Sequence, residues 1–289
     1  MELFSYDKKI CVVTGASSGI GLSTIKMLLQ DGAIVYSLDL KKIKLDGVIS
    51  LYCDLKDKDS IDHAFLEIPD DIDYFFGIGQ VSGCDHDYYS TFMINFISYK
   101  YICDRYLKTR MSPGSSICFM SSMAGDHYED YYNEYKNFIL ANTWEDEIKT
   151  LKRFIQNDSN GFTAFALSCR AINYYTKLLS TSYGQDGIRV NAIMPAIQND
   201  LSQVEPFLLQ TGNSSRRYYP YEISKVFLFL NSDMASYISG QCIPIDYGES
   251  ALLLLGKKHD YFQMKTKSKL FHLNSLDPHT PKEKEEEII

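Results

Sequence analysis

No apolar run in the 289-residue chain approaches the roughly 20 residues that a membrane-spanning helix needs, so no membrane partner is expected. The opening MELFSYDKKICVVTG leads directly into an apolar segment and lacks the layout of a secretory signal. Positive charge is not in excess: the formal net charge of −8 counts against a nucleic-acid partner. No two cysteines have zinc-ligand spacing, so no metal site is expected. The seven cysteines are odd in number and scattered, and Cys11, Cys53 and Cys118 lie among apolar neighbours. That pattern predicts reduced, buried thiols and a cytoplasmic location. What remains, 45% hydrophobic and 23% charged residues, is the composition of a large α/β domain with a full core.

The stretch from Gly161 to Asn191 organises the rest. Ala164, Ala171, Ile172, Tyr175, Leu178 and Leu179 form one helical stripe. Gly184 and Gly187 end that helix, and Ile188 to Ile193 read as a buried strand stopped by Pro195.

Earlier in the chain, a short apolar strand (ICVV, 10–13) meets Thr14-Gly15-Ala16-Ser17-Ser18-Gly19-Ile20-Gly21. A helix with Ile25, Leu28 and Leu29 on one face follows, then a second apolar strand ending at Asp39. Strand, glycine turn, helix, strand and acid is the layout of a dinucleotide site. The glycines let the backbone approach a pyrophosphate, and the helix N-terminus offers it amide N–H groups. Asp39, 18 residues past Gly21, is placed to accept hydrogen bonds from adenosine ribose hydroxyls. A 2′-phosphate would meet a like charge there, so NAD is expected over NADP, although Lys41 and Lys42 keep NADP open.

The alternation continues with strands at 49–55, 73–79, 115–122, 188–195 and 238–246, and with helices at 59–68, 95–110 and 222–232. Ser121 and Ser122 close the fifth strand, where open parallel sheets gather their ligands. The fold expected is a single α/β domain: a Rossmann-like, doubly wound parallel sheet of about seven strands with helices on both faces.

TGASSGIG (14–21), Asp54 before Leu55, Asn95 in MINF, SSMAG (121–125), GIRVN (187–191) and SDMASYISGQCIPIDYG (232–248) follow in an order that resembles the short-chain dehydrogenase/reductase family. The resemblance covers about residues 8 to 250, within a domain placed at 1–255 and followed by a C-terminal extension (256–289). The run KEKEEE near the end of that extension reads as a solvated, disordered tail. The resemblance implies hydride transfer between a nicotinamide and an alcohol or ketone, and a homodimer or tetramer. It assigns the cofactor to Gly15, Ser17, Ser18, Gly19, Ile20, Gly21, Asp39, Asp54, Leu55, Gly79, Pro195 and Ile197. An insertion at about 126–160 is similar to that of the bacterial 3α-hydroxysteroid dehydrogenase/carbonyl reductase branch, where it blocks one oligomer interface. Within it, Thr143 with Asp146 reads as a capping box, and Trp144, Ile148, Leu151 and Ile155 as an apolar stripe packing on the chain's own core.

Family chemistry uses a tyrosine, a lysine four residues on, a serine and an asparagine. Ser122 and Asn95 match the last two, though a helix cap and a buried structural amide are equally good readings of them. Counting about 26 residues back from Asn191 lands on Phe165 in place of the tyrosine, and Cys169 stands in place of the lysine. Phenylalanine moves no proton, and cysteine is short and neutral unless activated. Arg170 is turned about 100° around the helix from Cys169. The usual Asn-Asn-Ala-Gly is Phe76-Gly77-Ile78-Gly79, the usual Pro-Gly is Pro195-Ala196, and Asp200 replaces the threonine that holds the carboxamide. A second Tyr-x-x-x-Lys string, Tyr132 and Lys136, lies in the insertion and makes Tyr132 a candidate substitute acid; His127, Tyr128, Cys84 and His86 are others near strand ends. Two expectations therefore stand side by side: an NAD-dependent oxidoreductase of altered mechanism, and a redox-inactive relative that binds dinucleotide as a structural or sensing ligand or serves as a partner subunit.

Overall fold

The computed structural model describes residues 5–155, 160–196 and 218–256. Among the described residues, seven strands form one sheet, parallel throughout, in the order β3-β2-β1-β4-β5-β6-β7. They are β1 (Ile10–Thr14), β2 (Ile34–Asp39), β3 (Val48–Tyr52), β4 (Tyr74–Gly77), β5 (Ser116–Met120), β6 (Arg189–Pro195) and β7 (Cys242–Ile245). The strand order reverses between β1 and β4, and the crevice at that switch is where such sheets bind ligands.

Alternate residues of each central strand enter opposite cores, as a two-residue period requires. Val12, Phe75, Ile117, Phe119 and Val190 join one cluster. Cys11, Val13, Tyr74, Phe76, Cys118 and Ile193 join the other. The second cluster is closed by α1 (Gly19–Gln30), through Ile25 and Leu28, and by α9 (Pro220–Asn231), through Ile223 and Phe227. The first is closed by α2 (Lys58–Leu66), a long helical run over 88–110, and α8 (Gly161–Ser182). Helices therefore cover both faces.

Several sequence expectations shift. The run over 88–110 comprises α3 (Tyr88–Phe92), α4 (Ser98–Ile102) and α5 (Lys108–Arg110), joined by π-helical turns Met93–Ile97 and Cys103–Leu107. It begins before Asn95 because Asp87 caps it, its carboxylate accepting from the Ser90 N–H at 2.7 Å. Asn95 thus sits inside a π-turn, not at a helix start. Leu178, expected in the buried stripe of α8, is 43% exposed, whereas Ala164, Ala171, Ile172, Tyr175 and Leu179 are buried. β7 is shorter than expected, four residues.

The GIRVN segment has a structural explanation. Arg189 reaches the C-terminal end of α9, its guanidinium donating to the carbonyls of Leu230, Asn231 and Ser232. Asn191 donates to the Ile238 carbonyl and accepts from the Gln241 N–H, pinning the loop that precedes β7. Orphaned carbonyls at a buried helix end need such donors.

Between β5 and α8 the chain forms α6 (Tyr132–Ile139) and α7 (Trp144–Ile155). Asp146 N–H bonds Thr143 Oγ1 at 3.1 Å, and Trp144, Ile148, Leu151 and Ile155 pack on the main core. Lys100 of α4, only 6% exposed in its side chain, meets Glu147 of α7 at 3.1 Å and Asp104 at 2.8 Å. Burial pushes the Glu147 carboxyl up to about 8, outweighing the attraction of Lys100. The insertion is fastened across α4 by this Lys100–Glu147 contact, almost out of solvent.

Candidate dinucleotide and active site

The glycine turn is built as the sequence predicts. Gly15 has φ +65°, and an ideal Cβ placed on it would fall 2.5 Å from the Gly79 Cα. Only glycine suits a left-handed backbone so close to another chain segment. Ser18 caps α1, its Oγ accepting from the Gly21 N–H at 3.2 Å. Ser17, Ser18 and Gly19 are exposed. The N–H groups of Gly19 and Ile20 take part in no hydrogen bond among the described residues, as the first turn of a helix leaves them.

Asp39, at the end of β2, faces this turn. Its carboxylate accepts from the Ser17 N–H at 2.9 Å, the Ser17 hydroxyl at 2.8 Å and the Lys41 N–H at 3.0 Å. Two oxygens with about four lone-pair positions leave capacity for one further donor. Asp54 is half-buried, with Oδ1 accepting from Lys56 N–H, and Leu55 is buried next to Gly79. Pro195 ends β6; Ile197 and Asp200 lie outside the described residues. A pyrophosphate at the exposed turn and a ribose beside Asp39 fit the residues present.

The other half of the crevice differs. Ser122 follows β5 and is buried; its Oγ accepts from the Ala124 N–H at 3.3 Å. Ser121 Oγ donates to the Cys169 carbonyl at 3.2 Å, tying this loop to α8. Phe165 and Cys169 then lie with Ala124 and Ala166 in a small apolar cluster, Cys169 wholly buried and Phe165 7% exposed. Burial pushes the Cys169 thiol up to about 12, so it remains neutral. Gln80 donates from Nε2 to its sulfur at 3.4 Å.

Asn95 is buried, and its amide is committed to its neighbours. Oδ1 accepts from the Val81 N–H and Nδ2 donates to the Val81 carbonyl, each at 2.9 Å, with a further donation to Ser168 Oγ at 3.3 Å. It holds the segment after β4 in place. Gly79, just after β4, is held at both backbone groups: its N–H donates to Thr14 Oγ1 at 3.1 Å, and its carbonyl accepts from the Tyr99 hydroxyl. Further along this loop Gly83 lies against Gly161, with no room for a Cβ on either, so the loop docks backbone to backbone on the start of α8.

The structure brings Ser122, Asn95, Phe165 and Cys169 to one end of the sheet, but it does not bring Tyr132 there. The Tyr132 ring meets Tyr174, with centroids 4.8 Å apart. Tyr174 is about 140° around α8 from Cys169, by 100° per residue over five residues. Tyr132, the candidate substitute acid, is engaged with Tyr174 in this way, and Lys136 bonds Asn133 on the surface. Arg170 is likewise turned aside, its guanidinium 3.5 Å from the centre of the Tyr131 ring. His127 and Cys84 are exposed. Gln80 and Tyr99 were not singled out by sequence; neither belongs to a motif, and only three-dimensional contact reveals them.

These features define a Rossmann-like α/β protein with a glycine turn at the switch point of its sheet. Residues 9–136 match the family model described as short chain dehydrogenase, and residues 156–250 match one described as Enoyl-(Acyl carrier protein) reductase. The chain belongs to the short-chain dehydrogenase/reductase family. Similar curated proteins include a coniferyl-alcohol dehydrogenase of a Pseudomonas species, 27% identical over 84% of this chain and 96% of that one. A 3alpha-hydroxysteroid dehydrogenase of Mediterraneibacter gnavus is 26% identical over 82% of this chain and 95% of that one. In fold, the chain resembles a 3-alpha-hydroxysteroid dehydrogenase of a Pseudomonas species solved with NADH, with TM-score 0.67 and 18% identity over 85% of this chain and 98% of that one.

Proposed function

We propose that this chain binds NAD(H) at the C-terminal edge of its sheet and acts as an oxidoreductase on a hydroxyl or carbonyl substrate, by chemistry that does without the family's tyrosine and lysine. The observation that carries the reading is the paired arrangement of Ser17 and Asp39 beside the exposed N-terminus of α1. Gly19 and Ile20 N–H groups hold the pyrophosphate, and Asp39 the adenosine ribose; Asp54 and Leu55 border the adenine. NAD is preferred to NADP because a 2′-phosphate would meet the Asp39 carboxylate. The nicotinamide supplies or accepts hydride. Ser122, whose Oγ already accepts from Ala124, donates its hydroxyl hydrogen to the substrate oxygen. Asn95 positions the loop between β4 and α3. With Tyr132 turned away, the proton on the substrate oxygen exchanges with water.

A second reading rests on one specific observation: Phe165 and Cys169 pack with Ala124 and Ala166 in an apolar cluster. In that reading the dinucleotide is a structural or sensing ligand, or the chain is a partner subunit. NADH oxidation with a panel of ketones separates the two. Turnover that Ser122→Ala abolishes supports the oxidoreductase. NADH binding without turnover supports the second reading, and turnover that survives Ser122→Ala removes Ser122 from the mechanism.

The domain proposed spans residues 1–255, with 256–289 as an extension. The assembly proposed is a homodimer through β7 and α10 (Glu249–Leu254): β7 is the sheet's outer strand, and Leu254 and Leu255 are exposed. Seven unpaired thiols support a cytoplasmic location. Light scattering of the purified chain tests the dimer.

A further inference from the structure

Gln80 belongs to a segment fixed from both sides. Before it, Gly79 is held by Thr14 and Tyr99; after it, both backbone groups of Val81 are held by Asn95. Thr14 is the last residue before the glycine turn, and Gly79 lies against Gly15. Gln80 therefore stands one residue beyond the point where this loop touches the turn. Its half-buried side chain spans from there to α8, where Nε2 donates to Cys169 Sγ at 3.4 Å.

A carboxamide has two N–H donors and an oxygen with two lone pairs. Among the described residues only one of these is used. Cys169 itself is wholly buried and neutral. Of the two groups in this contact, the half-buried amide of Gln80 is the accessible one and the Cys169 sulfur the buried one.

We propose that Gln80 is a positioning residue that hydrogen-bonds the nicotinamide-side ribose of NAD(H), in place of the absent lysine; this rests on the NAD(H) reading given above. The exchange has a chemical consequence. A neutral amide orients a ribose hydroxyl, but it brings no positive charge to favour a deprotonated neighbour. Binding is retained while acid–base assistance is given up.

The test is a calorimetric titration of the full chain and of Gln80→Leu with two ligands: NADH, and ADP, which lacks the second ribose. Gln80→Leu is expected to raise the NADH Kd by about five- to tenfold, the effect of one neutral hydrogen bond, and to leave the ADP Kd unchanged. Gln80→Glu, which keeps an acceptor, is expected to lose less NADH affinity than Gln80→Leu. A Leu variant that loses ADP as well has lost its fold, and Gln80→Ala then gives the comparison. An unchanged ratio of NADH to ADP affinity in a folded variant overturns the role of Gln80 alone. An unsubstituted chain that binds neither ligand overturns this inference together with the NAD(H) reading.

Discussion

The carboxylate of Asp39 accepts two hydrogen bonds from Ser17, one from the backbone N–H at 2.9 Å and one from the hydroxyl at 2.8 Å. These contacts join the end of β2 to the turn after β1 and fix the negative charge beside the helix N-terminus. Asp39→Ala is expected to weaken NADH by tenfold or more and to erase any preference for NADH over NADPH. Parallel titrations of the variant with both nucleotides check this; a preference that survives would assign selectivity elsewhere.

Gly15→Ala should be costly. The substitution forces alanine to φ +65° and sets its Cβ 2.5 Å from the Gly79 Cα, a backbone atom that cannot rotate away. The expected loss is about 2–4 kcal/mol, read from urea denaturation. A change within about 0.5 kcal/mol, the range of ordinary surface substitutions, would mean that the turn is not packed as described.

Lys100 and Glu147 give a pH dependence of defined sign. The Glu147 carboxyl is raised from 4.5 to about 8 by burial, so the folded state holds this proton more tightly than the unfolded chain. Its contribution to stability is therefore complete below the unfolded value and is lost as pH rises toward and through about 8. Denaturation midpoints between pH 5 and 9 should fall with rising pH, and Glu147→Gln should flatten that slope. Lys100→Met, which removes the cation that holds the Glu147 carboxyl down, should raise that carboxyl further and steepen the fall of stability with pH.

Restoring the family pair is expected to raise carbonyl reduction. Phe165→Tyr with Cys169→Lys supplies the acid and the cation, a combination worth about 10²-fold or more in rate. The lysine enters a wholly buried position, so the variant should also lose stability, and NADH should restore part of it. An assay of NADH consumption with thermal melts, with and without nucleotide, reads both effects. A stable variant with no gain in rate would show that the crevice no longer admits a substrate.

Among the cysteines, Cys84 is exposed, whereas Cys169 is buried with its thiol raised to about 12. Iodoacetamide at pH 8 should label Cys84 first and leave Cys169 intact, as peptide mass spectrometry would show. Rapid labelling of Cys169 would contradict the closed cluster around it.

Much of this was legible in the sequence. Short apolar runs between helical segments identified all seven strands, and the glycine turn and Asp39 stand together as their order in the chain suggested. Ser122 was read at the end of the fifth strand and follows β5, and Thr143 with Asp146 announced α7. Other features depend on contacts between distant segments. Gln80 meets Cys169 across 89 residues, and Tyr99 closes on Gly79 from a neighbouring helix. The helix containing Asn95 starts earlier than periodicity suggested, because Asp87 caps it and π-turns break the regular spacing. Tyr132 and Lys136 carry a catalytic spacing, yet packing against Tyr174 sends the tyrosine to another face of α8. Spacing alone cannot reveal that direction.

The glycine turn and Asp39 are expected to form a working adenosine site. Calorimetric titration of the purified chain with NADH and with NADPH tests it most directly. Saturable NADH binding with a lower Kd than for NADPH is the expected result. Failure to bind either nucleotide would contradict it, leaving a family fold kept without its cofactor.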